Sequence, residues 1–154
     1  MKLYRISKND YIRDLSGFGA QLFGGRWNVK GTAVIYTAEC RSLATLEYLV
    51  HMPLSYEPFD LSMATLRMPD SVSIEELSAK YLPKDWKTYP PPVKLAQIGS
   101  KWAKRKNTLL LKVPSVIVEG EFNFIINPAH PEMAKVKVVE VLPYRFDERL
   151  LRNQ

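Results

Sequence analysis

The chain has 154 residues, 46% hydrophobic and 25% charged, ordinary globular usage that argues against disorder and fits one compact domain. No apolar run approaches the ~20 residues of a membrane span, and the start, MKLYRISKND, lacks the ~7–15-residue apolar core of a secretory signal, so a soluble cytoplasmic protein is expected. A lone cysteine, Cys40, excludes an intrachain disulfide and Cys-rich zinc sites, while a net charge of +6 suits an anionic partner: nucleic acid, a phosphorylated small molecule or an acidic protein.

In chain order, Lys2–Ile6 reads as a strand, followed by a long loop that holds Gly17, Gly19, Gly24, Gly25 and Gly31. The run TAVIYT (Thr32–Thr37) is β-branched and aromatic, which favours a second strand. Leu43, Leu46, Leu49 and Val50 recur at helical spacing over Cys40–His51, and Pro53 is placed to stop that helix. LSMATLRM (Leu61–Met68) reads as a strand. Ser73 and Glu76 form a capping-box pattern, which predicts a helix over Ser73–Leu82. YPPP (Tyr89–Pro92) reads as an extended connector, and Val93–Lys106 as a helix whose Leu95, Ile98 and Trp102 share a face. The last third is β-rich: Thr108–Val113, Ser115–Val118, Phe122–Asn127 and Lys137–Leu142. Strands and helices neither alternate strictly nor segregate fully. The class expected is therefore α+β, a single domain over residues 1–154 with one mixed or mainly antiparallel sheet flanked by helices.

The turn LFGGRWN raises the functional question. Successive backbone N–H groups in a glycine-rich turn can form an anion-binding concavity. Arg26, directly after Gly24 and Gly25, adds the guanidinium fork best matched to phosphate oxygens. The stretch is not a Walker loop, and GFGAQL fails the dinucleotide fingerprint at its third glycine. The plainer account is a hairpin turn with a surface arginine stacked on Trp27. Glu47 lies about 40° from Leu43 around its helix, beside the apolar stripe, where a carboxylate is partly desolvated unless a partner or ligand compensates. Its plainer account is a stripe-edge glutamate paired with a nearby cation. Ser115, in VPSVIV, sets a hydroxyl in an apolar run without the G-x-S-x-G elbow of a serine hydrolase. His51 and His130 show no H-E-x-x-H pattern, so no metal site is expected. Asn123, Asn127 and His130 in FNFIINPAH suit turns and strand ends.

No second carboxylate pairs with Glu47, which argues against paired-acid glycosidase chemistry. One reaction class needs only a single carboxylate. In NAD the bond from ribose to nicotinamide already has a cationic leaving group, so no acid is needed to protonate it. The transition state resembles an oxocarbenium ion, which one placed anionic oxygen stabilises.

YR at the start, then GGRWN, VIYTA, SLATLE, VPS and FNFIINPAHP, in that order from Leu3 to about Phe146, resemble the RES domain, the toxin half of the bacterial RES–Xre toxin–antitoxin modules. The resemblance implies a fold similar to the ADP-ribosyltransferase toxins, in which a small split sheet presents the site to NAD. It implies an activity that depletes cellular NAD by hydrolysis or phosphorolysis, with NAD as substrate and no required cofactor, or ADP-ribosylation of a protein. It also implies an Xre-type helix-turn-helix antitoxin whose C-terminal part blocks the cleft. The arginine, glutamate and serine of the family name carry over to Arg26, Glu47 and Ser115, with Arg5 and Tyr36 as companions. On this basis Arg5, Arg26, Gly24 and Gly25 hold the pyrophosphate and Tyr36 packs on the nicotinamide. Glu47 stabilises the ribosyl cation, Ser115 holds the ribose or Glu47 itself, and Asn127 is a further NAD-contact candidate.

Two readings from other classes compete. One is a basic nucleic-acid-binding module, toxic by occupancy through Lys101, Lys104, Arg105 and Lys106, although cations at a helix C-terminus have a plainer electrostatic account. The other is a folded interaction partner without turnover. If the chain is the enzyme, it reaches nucleic acid only through the antitoxin and needs no membrane; monomer and homodimer both stay open.

Overall fold

The computed structural model describes residues 1–52 and 59–151. The β-branched and aromatic runs build one seven-stranded sheet: β1 Lys2–Lys8, β2 Ile35–Ala38, β3 Leu61–Arg67, β4 Ile74–Glu76, β5 Leu110–Pro114, β6 Phe122–Ile126 and β7 Lys137–Tyr144. Its order is β4-β5-β6-β2-β1-β3-β7, and every neighbouring pair is antiparallel except β4–β5. Helices α1 (Phe18–Phe23), α2 (Arg41–His51) and α3 (Val93–Arg105) flank it, giving the α+β class expected. Among the described residues no helix is long and apolar enough to cross a membrane.

The central strands are buried on both faces, as their near-continuous apolar runs require. Leu110, Phe124 and Ile126 pack with Leu3, Leu66 and Leu109 on one side. The alternate residues Leu111, Val113 and Ile125 pack on the other, against Trp27, Leu95 and Trp102 beneath α3. Fully burying such an aliphatic side chain is worth about 1.5–3 kcal/mol, so this two-sided seam anchors everything the loops carry. α2 begins at Cys40, whose Sγ accepts the Leu43 amide hydrogen at 3.4 Å, and buries Leu43 and Ala44 against Ala38 and Met63. Pro53, expected to stop this helix, lies outside the described residues.

The sheet is nearly parted in the middle. β1 pairs with β3 along its whole length, Lys2 to Lys8, but with β2 only at Tyr4 opposite Ala38. Past that single pair β1 and β2 diverge, and the gap between them becomes the floor of a cleft.

Three local expectations are corrected. Ser73–Leu82 is not a helix: Ile74–Glu76 forms β4 beside Leu110–Lys112, and only Ala79–Tyr81 makes a short 3-10 turn. The Ser73 hydroxyl donates to Glu132 and accepts the Leu109 amide hydrogen instead of capping a helix. Ser115–Val118 is not a strand, because the Ser115 hydroxyl accepts hydrogen bonds from the Ile117 and Val118 amides at 3.1 Å each and turns the chain. The glycine-rich segment is not loop throughout, since it contains α1.

Candidate active site

The parted sheet opens a cleft of about 560 Å³, within the ordinary range for ligand pockets. Arg5 enters it from β1, Arg26 from the turn after α1, Tyr36 from β2, Glu47 and His51 from α2, and Asn123 from β6. Five separate stretches of sequence thus converge on one cavity.

Glu47 is held by neutral donors. Its Oε1 accepts from the Ser115 hydroxyl at 3.2 Å and from the Asn123 amide nitrogen. Both bonds fall on the same oxygen, and Oε2 carries none among the described residues. Glu47 forms no ion pair among those residues either, so the stripe-edge salt bridge is not formed. Ser115 is 3% exposed. Its hydroxyl, tied to two amides and to Glu47, orients the carboxylate. A carboxylate fixed at one oxygen and bare at the other is preorganised to meet a positive centre.

Both arginines are anchored by carbonyl oxygens instead of carboxylates. Arg26 donates from Nη1 to the Trp86 oxygen at 2.7 Å and from Nη2 to the Thr88 oxygen at 3.3 Å. Arg5 donates to the oxygens of Asp14 and Tyr11, each at 3.0 Å. Burial lowers both guanidinium pKa values from their ordinary value, with Asp14 partly offsetting this for Arg5 and Glu47 for Arg26. A guanidinium remains charged through such a shift. Neither charge is neutralised by a carboxylate within ion-pair distance among the described residues, so the cleft presents two fixed cations to an anion.

Tyr36 organises the turn beneath Arg26. Its hydroxyl accepts the Trp27 amide hydrogen at 3.0 Å and donates to Asn28 Oδ1 at 2.7 Å. Burial pushes that hydroxyl far above the usual tyrosine value, so it stays a neutral donor. Gly25 fits there because it has no Cβ: one would stand 2.6 Å from the Tyr36 hydroxyl. Asn28, 1% exposed, completes the turn by donating to the Ala20 and Thr32 oxygens at 2.7 and 2.9 Å.

The structure therefore brings Arg5, Gly24, Gly25, Arg26, Tyr36 and Glu47 to the cleft wall, with Ser115 directly behind Glu47. Asn127 is not brought there. It is 1% exposed, its Nδ2 donates to the Ala103 oxygen and its Oδ1 accepts the Ala129 amide hydrogen, so it closes a turn. The glycine turn does not offer the expected amide concavity either: the Gly24 and Gly25 N–H groups are engaged by the Ala20 and Asn28 oxygens. The cationic donors that the cleft offers are therefore the side chains of Arg5 and Arg26. Two residues were missed as site members, Asn123 and His51. Asn123 alternates with Phe122 and Phe124 on a strand whose neighbour on its own face, Ile125, is fully buried. A polar side chain on such a face was the available signal. The basic cluster lies on the last two turns of α3 and just beyond them, away from the cleft, and Arg105 there is paired with Glu75 at 2.8 and 3.1 Å.

The model of the RES domain matches residues 2–147 of the chain. The chain is 41% identical over 142 residues to the Prs ADP-ribosylating toxin of Sphingobium sp. (strain YBL2), covering 91% of this chain and 88% of that one. It is 38% identical over 152 residues to Toxin Res of Yersinia enterocolitica serotype O:8, covering 97% and 99% respectively. Its fold is similar to a chain in the crystal structure of the M. tuberculosis MbcT–MbcA toxin–antitoxin complex, with a TM-score of 0.71 at 19% identity over 94% of this chain and 84% of that one.

Proposed function

The chain belongs to the RES domain family, and we propose that it is a toxin that consumes NAD by cleaving the bond between nicotinamide and ribose. The observation that carries this is Glu47, with Oε1 held by Ser115 and Asn123 in a cleft that also holds Arg5 and Arg26; among the described residues Oε2 accepts no hydrogen bond and neither arginine forms an ion pair. Nicotinamide leaves as a neutral ring and needs no acid. The ribosyl cation left behind is met by Glu47 Oε2. Arg5 and Arg26 hold the pyrophosphate, each keeping the donors not already given to carbonyl oxygens. The Tyr36 ring covers the nicotinamide. Asn123 and Ser115 act through Glu47 and are positioning residues.

Two acceptors fit this step, water and inorganic phosphate, and both deplete NAD. A protein side chain is the second reading, favoured by the relative described as a Prs ADP-ribosylating toxin. An antitoxin partner is part of the proposal, supported by the complex in which the similar fold was solved and, for its Xre type, by the motif resemblance.

The test is incubation of purified protein with NAD, with and without phosphate, and identification of products by mass. Glu47→Gln is expected to lower nicotinamide release ~10²–10³-fold, the usual cost of removing a preorganised electrostatic group. A Glu47→Gln variant that degrades NAD at the parental rate refutes the assignment.

A further inference from the structure

His51 ends α2, one turn beyond Glu47, and both residues line the cleft. Its Nδ1 lies 2.7 Å from the backbone oxygen of Glu47. A carbonyl oxygen only accepts, so Nδ1 carries the hydrogen, and in the neutral ring Nε2 is a bare base. That bond also fixes the ring, as an orienting group fixes the base in a nucleophile–base pair. Nε2 makes no hydrogen bond among the described residues.

Glu47 accounts for the departure of nicotinamide and leaves the acceptor's proton unassigned. Residues four apart on a helix are surface neighbours, so a base at His51 stands beside the carboxylate that faces the ribose. Resting on the NAD reading above, we propose that His51 is a second catalytic residue, the base that takes the proton of the acceptor water. The bond from C1′ to the nicotinamide nitrogen breaks and its electron pair stays on nicotinamide. The water oxygen forms the new bond to C1′, and its proton passes to His51 Nε2. His51 is exposed, so the imidazolium returns that proton to solvent. The products are ADP-ribose, nicotinamide and one proton, which balances the reaction. An acceptor that is already an anion bypasses His51.

The experiment compares the full chain with His51→Gln and His51→Ala, following nicotinamide release from NAD with and without azide, an anionic nucleophile with no proton to lose. Hydrolysis is expected to fall ~10²-fold or more in both variants, in the usual range for a lost general base. Azide is expected to restore nicotinamide release in the variants, with ADP-ribosyl azide identified by mass, and to change the parent little. A merely structural role for His51 slows water and azide alike. Variants that hydrolyse NAD at the parental rate, or slowed variants that azide does not rescue, overturn the assignment of His51 alone. A parent chain that releases no nicotinamide overturns the NAD reading, and this one with it.

Discussion

Gly99 is where α3 touches the turn that carries Arg26. A Cβ added there would stand 1.9 Å from the backbone oxygen of Trp27, where real Cβ contacts stay beyond 3.0 Å; Gly99→Ala must therefore part helix and turn by at least 1.1 Å (3.0 − 1.9). No flexible group can yield, because the atom met is backbone and Trp27 itself is 3% exposed. The neighbouring Ser100 hydroxyl, which accepts the Val29 amide hydrogen at 2.9 Å, moves with the helix. Overpacking of this kind costs ~1–3 kcal/mol. At ~2–4 °C per kcal/mol for a domain of this size, the melting temperature falls by ~2–12 °C. Turnover should suffer more. Arg26 directly precedes Trp27, and a misplacement of about 1 Å in a binding group costs on the order of 10²-fold. The assay is NAD turnover at a temperature where thermal melting shows the variant still folded. An alanine variant that melts and turns over like the parent refutes the claim that α3 sets the position of Arg26.

Ser115→Ala and Asn123→Ala each remove one donor from Glu47 Oε1. Hydrogen bonds to charged groups are worth ~1.5–3 kcal/mol, so kcat is expected to fall roughly 10- to 100-fold in each with KM for NAD little changed. Because both hold one oxygen, the double variant should lose less than the product of the single losses; strictly multiplicative losses contradict shared positioning. Tyr36→Phe keeps the ring but orphans the Trp27 amide and Asn28 Oδ1, so thermal or urea unfolding should show a loss of ~2–4 kcal/mol, and unchanged stability would show that the hydroxyl does not hold the turn. Glu132 accepts from Lys135 and then from the Ser73 hydroxyl and amide, which holds its carboxyl at about 2 against an ordinary 4.5. A depressed carboxylate stabilises the fold above its unfolded value, and that contribution is lost as pH falls from 4.5 towards 2. Acid unfolding should therefore be shallower over that interval in Glu132→Gln, and an identical acid profile would contradict this.

What could be read in advance divides by range. β1, β3, β7 and α2 were legible because their signals are periodic and local: apolar spacing alone identifies the helix that carries Glu47. The failures lie where another hydrogen-bond partner, distant or close by, outbids the pattern read from composition. The pattern S-I-E-E satisfies a capping box, yet Glu132, 59 residues further on, takes the Ser73 hydroxyl, and β5 takes the backbone of Ile74–Glu76. Ser115–Val118 has strand composition, yet its serine closes a turn on its own amides, a local side-chain bond that competes directly with a sheet ladder.

The same rule separates the two asparagines of FNFIIN. Both are polar residues in an apolar run, and nothing within the run distinguishes them. Asn127 falls one residue past the end of β6, where a side chain most easily turns back on its own backbone, and it does so with the Ala129 amide. Asn123 lies inside the strand, paired with Ala38 of β2 and Val113 of β5, and its own ladder therefore leaves no room for such a turn. Its amide must find a partner across the sheet face, and the residue α2 presents there is Glu47. An interior asparagine on a two-sided strand thus implies an acceptor from another element. Here that acceptor is the one carboxylate that sequence periodicity had already placed at the edge of an apolar stripe. Together the two local signals single out Asn123 and Glu47, which the motif FNFIIN, holding both asparagines, does not do by itself.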